Sequence, residues 1–362
     1  MTRNGSMIGN AIRYLSSVAS NRFGRPSCPR LLTYTVTFRC NASCQMCDSW
    51  RIARQDELTL AELERLCAQL PRMDVVRLTG GEPFLRNDFP EISRVVEERL
   101  QPLALCVSTN GFLTERIVDY CERRNRRIPL RLIVSLDGMS EKHNRVRGCR
   151  NAWTHATETI QSLAGRQLQL GLTLGVNQTI VDEDGFHQYR QLRQFLRRLN
   201  VVHSSIIAYE ASATYRVDRE NVIEASPTRP FAPIGRLSEQ GLRDWLRLAR
   251  KDLHRMPWLD RMARRYYLLG IGNRLTAGRF TPRARCVALN SHLRILPNGD
   301  VPTCQFNGRL VGNLRREAFF DVWRSAAAAE QRAWVRACRG CWAECETLPN
   351  AVYTADLLRA AL

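Results

Sequence analysis

Three closely spaced cysteines constrain this chain more than any other feature. Cys40, Cys44 and Cys47 stand at the spacing Cys-x3-Cys-x2-Cys, directly after a short apolar run that predicts a strand. A [4Fe-4S] cluster normally takes four thiolates, so a compact trio indicates a cluster with one iron open to another ligand. The alternative is a zinc site, which needs a fourth Cys or His close by. The next cysteine is Cys67, inside a helical pattern, and the first histidine is His143.

Residues 31–208 alternate between two hydrophobic patterns. Short apolar runs rich in β-branched residues are separated by helical patterns, the clearest at Leu60–Leu70, where Thr59 and Glu62 form a capping box. Six strands separated by helices favour a parallel sheet that closes into part of a barrel. The predicted strands are Leu31–Thr37, Val75–Leu78, Leu103–Val107, Leu130–Leu136, Leu168–Val176 and Val201–Ala208.

Polar motifs stand at the ends of these predicted strands, where the chemistry of such barrels gathers. Each motif alone is typical of a turn, but their recurrence at successive strand ends indicates a ligand site. The motifs are Gly80-Gly81-Glu82-Pro83 after the second strand, Ser108-Thr109-Asn110-Gly111 after the third, and Ser135-Leu136-Asp137-Gly138 at the fourth.

The thirteen cysteines fall unevenly along the chain, and five of them form a second group near its end. No apolar run reaches the roughly 20 residues of a membrane span, and the N-terminal region lacks a signal-peptide core, so we expect a cytoplasmic protein. Thiols stay reduced in the cytoplasm, where clustered cysteines are typically metal ligands. The second group consists of Cys286, Cys304, Cys338, Cys341 and Cys345.

The trio, the strand-end motifs and the second cysteine group together resemble the radical S-adenosylmethionine (SAM) enzymes that carry a C-terminal twitch or SPASM-type extension. The resemblance covers about residues 31–345. It implies an α/β fold, a partial (β/α)6 TIM-like barrel with a small C-terminal Cys-rich twitch/SPASM-like domain. It also implies reductive cleavage of SAM to a 5′-deoxyadenosyl radical, which abstracts hydrogen from the substrate. In such enzymes the cofactors supply the difficult chemistry and the protein supplies position.

The resemblance also implies roles for particular residues. Cys40, Cys44 and Cys47 would hold a [4Fe-4S] cluster whose open iron binds SAM. Met46 stands where the family often has an aromatic residue beside the adenine. The sequence does not indicate a catalytic acid or base. The expected SAM-binding residues are Met46, Gly80, Gly81, Glu82, Pro83, Ser108, Asn110, Ser135, Asp137 and Arg147.

The second cysteine group resembles an auxiliary-cluster domain with part of its ligands missing. The full SPASM pattern has seven cysteines for two clusters, whereas this chain has five, so we expect one auxiliary [4Fe-4S] cluster. Four of the five would bind it, namely Cys286, Cys304 and two of Cys338, Cys341 and Cys345. A zinc-ribbon-like site of four cysteines is the alternative. The auxiliary cluster would take an electron from the substrate radical, relay one, or bind the substrate.

The net charge of +19 raises the possibility of a nucleic-acid partner. Lys142 and Lys251 are the only lysines among the 54 basic residues, and an arginine excess of this kind favours a GC-rich genome over selection for phosphate contacts. The arginines are also spread over helices rather than gathered in one arm. Nucleic acid is therefore disfavoured as a partner, and RNA modification would rest on charge alone.

The pattern predicts five regions. In the first, apolar residues recur at helical spacing, so this helix could pack on the domain or touch a membrane surface, and we favour packing. These residues are Met7, Ile8, Ala11, Ile12, Leu15, Val18 and Ala19. Prolines mark residues 209–235 as a linker, before a helical pair at about Leu237–Met256 and Leu259–Leu269. The regions are an amphipathic preface at 1–30, the radical SAM barrel at 31–208, a linker and helical connection at 209–280, the auxiliary domain at 281–350 and a tail at 351–362.

The sequence indicates the substrate and the partners less directly than it indicates the cofactors. About 30 residues precede the first strand, fewer than a fused peptide-recognition domain needs, which favours a small molecule such as an aminosugar, nucleotide or lipid. A peptide delivered by a separate protein is the alternative, and a non-catalytic iron–sulfur electron carrier is another. An external electron donor similar to flavodoxin or ferredoxin is expected.

Overall fold

A computed structural model of the chain describes residues 3–52, 56–208, 237–338 and 340–360, and its main sheet has seven strands, all parallel. The strands are β1 (Leu31–Thr35), β2 (Val75–Thr79), β3 (Ala104–Thr109), β4 (Leu130–Ser135), β5 (Leu172–Ile180), β6 (Val202–Ile207) and β7 (His292–Ile295). They lie in the order β6-β5-β4-β3-β2-β1-β7. The first six are thus neighbours in chain order, as in a partial barrel, and the predicted fold class is confirmed.

The run Leu293–Cys304, with Asn298 and Gly299 at its centre, predicts a β-hairpin, but its two arms do not pair as strands in the structure. The chain does turn there, but β7 pairs in parallel with β1 instead, while β8 (Asp300–Pro302) pairs with β9 (Leu310–Asn313) in a separate antiparallel sheet. All four residues of β7 are buried, which suits a strand covered on both faces better than one arm of a surface hairpin. The sheet therefore gains a seventh strand from the Cys-rich region.

The helices lie mainly between the strands. The capping box predicted at Thr59 and Glu62 is present and starts α2. The predicted helical pair corresponds to α8 and α9, and α9 runs eight residues further than predicted. The helices are α1 (Arg3–Phe23), α2 (Leu60–Gln69), α3 (Phe89–Leu100), α4 (Thr114–Arg123), α5 (Ser140–Arg147), α6 (Ala152–Ala164), α7 (Glu183–Arg198), α8 (Glu239–Lys251), α9 (Trp258–Ala277), α10 (Phe319–Arg324), α11 (Ala326–Ala337) and α12 (Glu344–Tyr353).

The two faces of the main sheet differ in chemistry. Leu32, Val76 and Leu105 are fully or almost fully buried in the apolar core between the sheet and its helices. Alternate residues of each strand point to the opposite face. There, residues that stand beside one another on neighbouring strands form a row with charged and polar side chains. This row consists of Arg294, Thr33, Arg77, Cys106, Arg131 and Thr173.

The C-terminal third of the chain covers the polar face. Arg131 of β4 pairs with Asp260 of α9 at 2.7 Å, and Arg77 of β2 donates to the carbonyl oxygen of Cys345 at 2.8 Å. Because these contacts join the sheet to the cysteine-rich segment, the second cysteine group lies against the same face of the sheet.

Helix α1 packs on the protein through its polar side. Tyr14 donates to the carbonyl oxygen of Val352, and Asn21 donates to Ser291 and to the carbonyl oxygen of Tyr353. The helix thus packs on the domain as expected, although through its polar side and not its apolar one. The end of α12 presents carbonyl groups that lack helical partners, so it is satisfied by hydrogen-bond donors rather than by apolar side chains.

Two further predictions concern regions that the structure covers only in part. The linker predicted at 209–235 lies outside the described residues. The division into five regions stays a prediction, although β7 from the region 281–350 belongs to the main sheet. Among the described residues, no helix is both long and apolar enough to cross a membrane.

Candidate cluster and cofactor site

The loop that carries the first three cysteines is clamped between two other segments. On one side the amide of Gly81 donates to the carbonyl oxygen of Thr37 at 2.8 Å, beyond the end of β2. On the other side Ser43 donates its amide to the carbonyl oxygen of Arg147 at 3.0 Å, at the end of α5. Backbone contacts on both sides therefore fix the loop independently of any cofactor.

Both clamping segments approach the cysteine loop so closely that only glycine fits at the point of contact. A Cβ on Gly81 would lie 2.2 Å from the carbonyl oxygen of Arg39. A Cβ on Gly148 would lie 2.2 Å from Ser43 Oγ, and this residue also has a φ of +62°, which favours glycine. The position of the cysteine loop thus depends on these two glycines.

The three cysteines line one cavity together with most of the predicted SAM-binding residues. Asn110 Nδ2 lies 4.0 Å from Cys40 Sγ, and Arg147 Nη1 lies 3.5 Å from Cys44 Sγ. Glu82, Pro83 and Asp137 are not among the residues that line it. The predicted residues that do so are Cys40, Cys44, Cys47, Met46, Gly80, Gly81, Ser108, Asn110, Ser135 and Arg147.

The chemistry of this cavity fits an iron–sulfur cluster with an open iron. Burial raises the pKa of the Cys40 thiol to about 12 and that of Cys47 to about 11, so iron must replace the proton for these thiols to act as thiolates. The amide of Asn110 and the guanidinium of Arg147 are donors that stabilise charge on such sulfurs. Among the described residues no three His, Cys, Asp or Glu side chains are placed to hold a single metal ion.

Glu82 lies behind the cavity wall and joins two of the strand-end loops. It is fully buried and accepts hydrogen bonds from Thr109 Oγ1 at 2.8 Å, the amide of Asn110 at 2.7 Å and the amide of Phe84 at 3.2 Å. Burial raises the pKa of Glu82 to about 7 against the effect of these donors. In this structure the carboxylate therefore holds the loop after β3 beside the loop after β2.

Asp137 holds Arg147 at the cavity. Arg147 Nε lies 2.6 Å from Asp137 Oδ2, and Asp137 accepts a further hydrogen bond from the amide of Thr179 at 2.8 Å. Burial acts against the charge of Arg147, but Asp137 and Cys44 together raise its pKa. Burial lowers the pKa of the neighbouring His143 to about 3, so that ring is neutral and its Nδ1 accepts the amide of Asp137.

The second cysteine group gathers around a small apolar cluster. Cys286, Cys304, Cys341 and Cys345 pack with Ala288, Phe306, Val335 and Ala343. Burial raises the pKa of Cys341 well above its usual value, and the nearby charges of Glu346 and of the other three cysteines act in the same direction. Cys338 lies at one side of this group, where it and Cys286 line a cavity of about 470 Å³.

Glu346 is a functional candidate that the sequence did not reveal. It is almost completely buried and accepts hydrogen bonds from Arg294 Nη2 at 2.9 Å and from the amide of Gln305 at 3.2 Å. Its Oε2 also lies 3.1 Å from His292 Nδ1. Although burial acts to raise it, these partners lower the pKa of Glu346, which places a carboxylate charge beside the cysteines. Its position directly after Cys345 was the only available signal.

Comparison with known families identifies both parts of this arrangement. The family model of the radical SAM superfamily matches residues 34–184, which include the cysteine trio and the three strand-end loops. These residues therefore carry a radical SAM domain. A second family model, of the SPASM iron–sulfur cluster-binding domain, matches residues 286–342. Together the two domains imply [4Fe-4S] clusters and SAM as cofactors.

Curated relatives match parts of the chain. The chain is 28% identical over 152 residues to Fe-coproporphyrin III synthase of Methanosarcina barkeri, and the match covers 41% of this chain and 37% of that protein. It is 29% identical over 175 residues to GTP 3′,8-cyclase of a Synechocystis species, which covers 47% and 51% respectively. The chain thus spans about half or less of the length of these two relatives.

Solved structures match the fold over nearly the whole chain. SuiB of Streptococcus suis bound to S-adenosylmethionine has a TM-score of 0.60 at 15% identity, covering 92% of this chain and 74% of that one. The protein anSMEcpe with bound AdoMet and the Cp18Cys peptide has a TM-score of 0.57 at 13% identity, covering 92% and 95%. At these identities the likeness establishes the shared fold.

Proposed function

We propose that this protein is an enzyme that cleaves SAM reductively and abstracts hydrogen from a small-molecule substrate. The observation that carries the proposal is that three thiols and the ends of three neighbouring strands line one cavity. When bound, a reduced cluster supplies one electron to the sulfonium C–S bond of SAM, giving methionine and a 5′-deoxyadenosyl radical that leaves as 5′-deoxyadenosine after taking a substrate hydrogen atom. The electron comes from an external donor of the flavodoxin or ferredoxin class.

The residues of the cavity have distinct tasks in this proposal. Cys40, Cys44 and Cys47 bind the cluster. The glycines Gly80 and Gly81 let the backbone approach SAM closely, because no side chain stands between them and the cavity. Ser108 and Ser135 offer hydroxyl groups, while Met46 packs beside an aromatic ring. Glu82, Pro83 and Asp137 act from behind the wall, as the supports of the lining residues.

The second cysteine group binds one auxiliary [4Fe-4S] cluster in this proposal. Cys286, Cys304, Cys341 and Cys345 pack in one apolar cluster to which Cys338 does not belong, so these four are the proposed ligands. When bound, the cluster would supply a one-electron acceptor for oxidation of the substrate radical. The carboxylate of Glu346 would lower the reduction potential of such a cluster, because a fixed negative charge disfavours the addition of an electron.

A cavity on the polar face of the sheet favours a small substrate. This cavity, of about 100 Å³, lies between strands β4–β6 and helices α9 and α12, and it shares its sheet face with Ser135. Its charged lining residues are Arg131, which pairs with Asp260, and Arg264, which pairs with Glu344 at 2.8 Å. Such pairs suit a compact ligand with an anionic group. The ligand anion can replace the protein carboxylate as the partner of an arginine guanidinium, which binds anions in a two-pronged geometry.

The names of the curated relatives also support a small molecule, since they denote a GTP cyclase and a coproporphyrin synthase. A peptide substrate is the second candidate, because a solved structure of SuiB contains its precursor peptide SuiA. That structure has a TM-score of 0.55 at 16% identity. Incubation of the reduced protein with SAM and pools of small metabolites or of short peptides separates the two, since only the correct class raises the yield of 5′-deoxyadenosine.

The proposal is tested by anaerobic reconstitution followed by reduction in the presence of SAM. We expect about eight irons per chain, from two clusters of four, and the release of 5′-deoxyadenosine. Cys28→Ala is the matched control, because Cys28 is exposed and belongs to neither cysteine group, and it should leave both values unchanged. A protein that holds its clusters but releases no 5′-deoxyadenosine would rule out the proposed activity.

A further inference from the structure

Helix α1 exposes an apolar stripe along its outer face. Ile8, Ile12 and Leu15 follow one another at the spacing of one helix face, and their exposed fractions are 63%, 62% and 64%. Phe23, at the end of the helix, is 77% exposed. These are among the most exposed large apolar residues of the part of the chain that the structure describes. We call these four residues the α1 stripe.

Hydrogen bonds on the opposite side fix the orientation of this stripe. Ser17 Oγ lies 2.7 Å from Ser291 Oγ, and Asn21 donates to Ser291 Oγ and to the carbonyl oxygen of Tyr353, both at 2.8 Å. Ser17 and Asn21 are buried, although their side chains are polar. A rotation that buried the stripe would break these bonds and leave buried polar groups without partners, so the stripe stays outside.

The segment that carries the α1 stripe is rich in arginine. Residues 1–47 contain six arginines and no lysine, aspartate or glutamate. Two of the six are paired elsewhere, because Arg30 is buried against Asp74 and Arg39 lies 3.5 Å from Glu57. At the end of the helix and just after it, Asn21, Gly24 and Arg25 line part of the 470 Å³ cavity beside Cys286. None of the described residues that line this cavity is acidic, and five are arginines: Arg25, Arg283, Arg285, Arg332 and Arg336.

We propose that the α1 stripe and the arginines at its end form a binding surface for an anionic lipid bilayer. Apolar side chains along one helix face insert at the boundary between headgroups and acyl chains, and arginines beside them bind lipid phosphates. A second copy of the chain is the less suitable occupant, because two such faces would bring like charges together. The helix thereby places the protein on the membrane surface without crossing it.

Flotation of the full-length protein with lipid vesicles tests this surface. We expect flotation with phosphatidylcholine vesicles rich in phosphatidylglycerol, little with pure phosphatidylcholine, and weaker flotation as salt is added. In the triple variant Ile8→Ser, Ile12→Ser and Leu15→Ser, binding to the anionic vesicles should be at least about tenfold weaker than in the wild type. The substitution Leu168→Ser is the matched control, because Leu168 is fully exposed elsewhere, and it should bind like the wild type.

A second variant tests the charge separately from the stripe. Arg25→Gln should weaken binding to the anionic vesicles and reduce its salt dependence, while leaving the melting temperature unchanged, because Arg25 is exposed. The proposal is overturned if the wild type does not float with anionic vesicles, or if the triple variant floats equally well. A wild-type dimer in solution that the triple variant converts to a monomer would assign the stripe to a second copy instead.

Discussion

At Gly148 a single added carbon would collide with the loop that carries the cysteines. A Cβ there would lie 2.2 Å from Ser43 Oγ and 2.6 Å from the carbonyl oxygen of Ser43, and the φ of +62° adds backbone strain for any other residue. Since Ser43 precedes Cys44, the geometry of the trio depends on a residue more than a hundred positions away.

We expect Gly148→Ala to lower the free energy of unfolding by about 2 kcal/mol or more, because backbone strain and the collision add together. Gly165→Ala is the matched control, since a Cβ at Gly165 would meet no atom within 4 Å. That control should change stability by less than about 0.5 kcal/mol. Thermal melting and iron content measure both effects, and equal melting temperatures for the two variants would contradict this account of the loop.

Glu82 makes folding stability depend on pH. Its pKa is about 7 in the folded chain, against an ordinary value of 4.5. Below about pH 4.5 both states are protonated, and as the pH rises towards 7 the unfolded chain ionises first. The stability that the protonated group contributes is therefore present below pH 4.5 and is lost as the pH passes through 7.

The substitution Glu82→Gln should remove this dependence, because glutamine does not titrate. We expect the stability of the wild type relative to the variant to fall by up to about 3 kcal/mol between pH 4.5 and 7, and to level off above that. Urea unfolding at several pH values measures the difference. Glu98→Gln, at an exposed residue, should show no such trend, and a constant difference for Glu82→Gln would refute the burial argument.

At the residue scale, local spacing was enough to predict most of the cavity lining. The trio and the strand-end motifs are short patterns whose members the fold brings together because parallel strands end at the same edge of a sheet. The position of Glu82 behind the wall could not be read from the sequence, since it follows from hydrogen bonds to a loop 28 residues later. Glu346 was missed because its partners His292 and Arg294 lie more than 50 residues earlier.

At the element scale, β7 and α12 form the joint between the sheet and the cysteine-rich segment. Arg294 and His292 of β7 meet Glu346 of α12, and His292 Nε2 also lies 2.9 Å from Thr33 Oγ1 on β1. These side chains are buried away from water, so each polar group relies on its neighbours for hydrogen bonds and charge compensation. The joint therefore fixes the second cysteine group relative to the strand that leads into the first.

Glu346→Gln should destabilise the protein by about 3 kcal/mol or more, since it leaves the buried Arg294 without its carboxylate. Glu330→Gln is the matched control, because Glu330 pairs with Arg309 at 3.0 Å on the surface, where such pairs contribute less than about 1 kcal/mol. Differential scanning calorimetry compares the two variants. Similar melting temperatures would show that the joint is not a stabilising contact.

The elements themselves were predictable to different degrees. The first six strands follow from local apolar runs, whereas the pairing of β7 with β1 joins residues about 260 positions apart and leaves no local pattern. The periodicity of α1 showed an apolar face correctly. It could not show which face would be buried, because that depends on the carbonyl groups at the end of α12.

At the scale of the whole molecule, the first cysteine group lies at the ends of the strands, whereas the second lies against the polar sheet face beside a charged cavity. The proposed division of labour assigns SAM cleavage to the first group and substrate oxidation to the second. Because the groups are separate, loss of the second should leave cleavage intact while uncoupling it from product formation.

The most direct test of this account is the amount of 5′-deoxyadenosine that the reduced, anaerobically reconstituted protein releases from SAM. The wild type and Cys304→Ala should both release it, the latter with about four irons per chain, whereas Cys44→Ala should release none above background. Release by Cys44→Ala, or its loss in Cys304→Ala with the first cluster intact, would contradict the account.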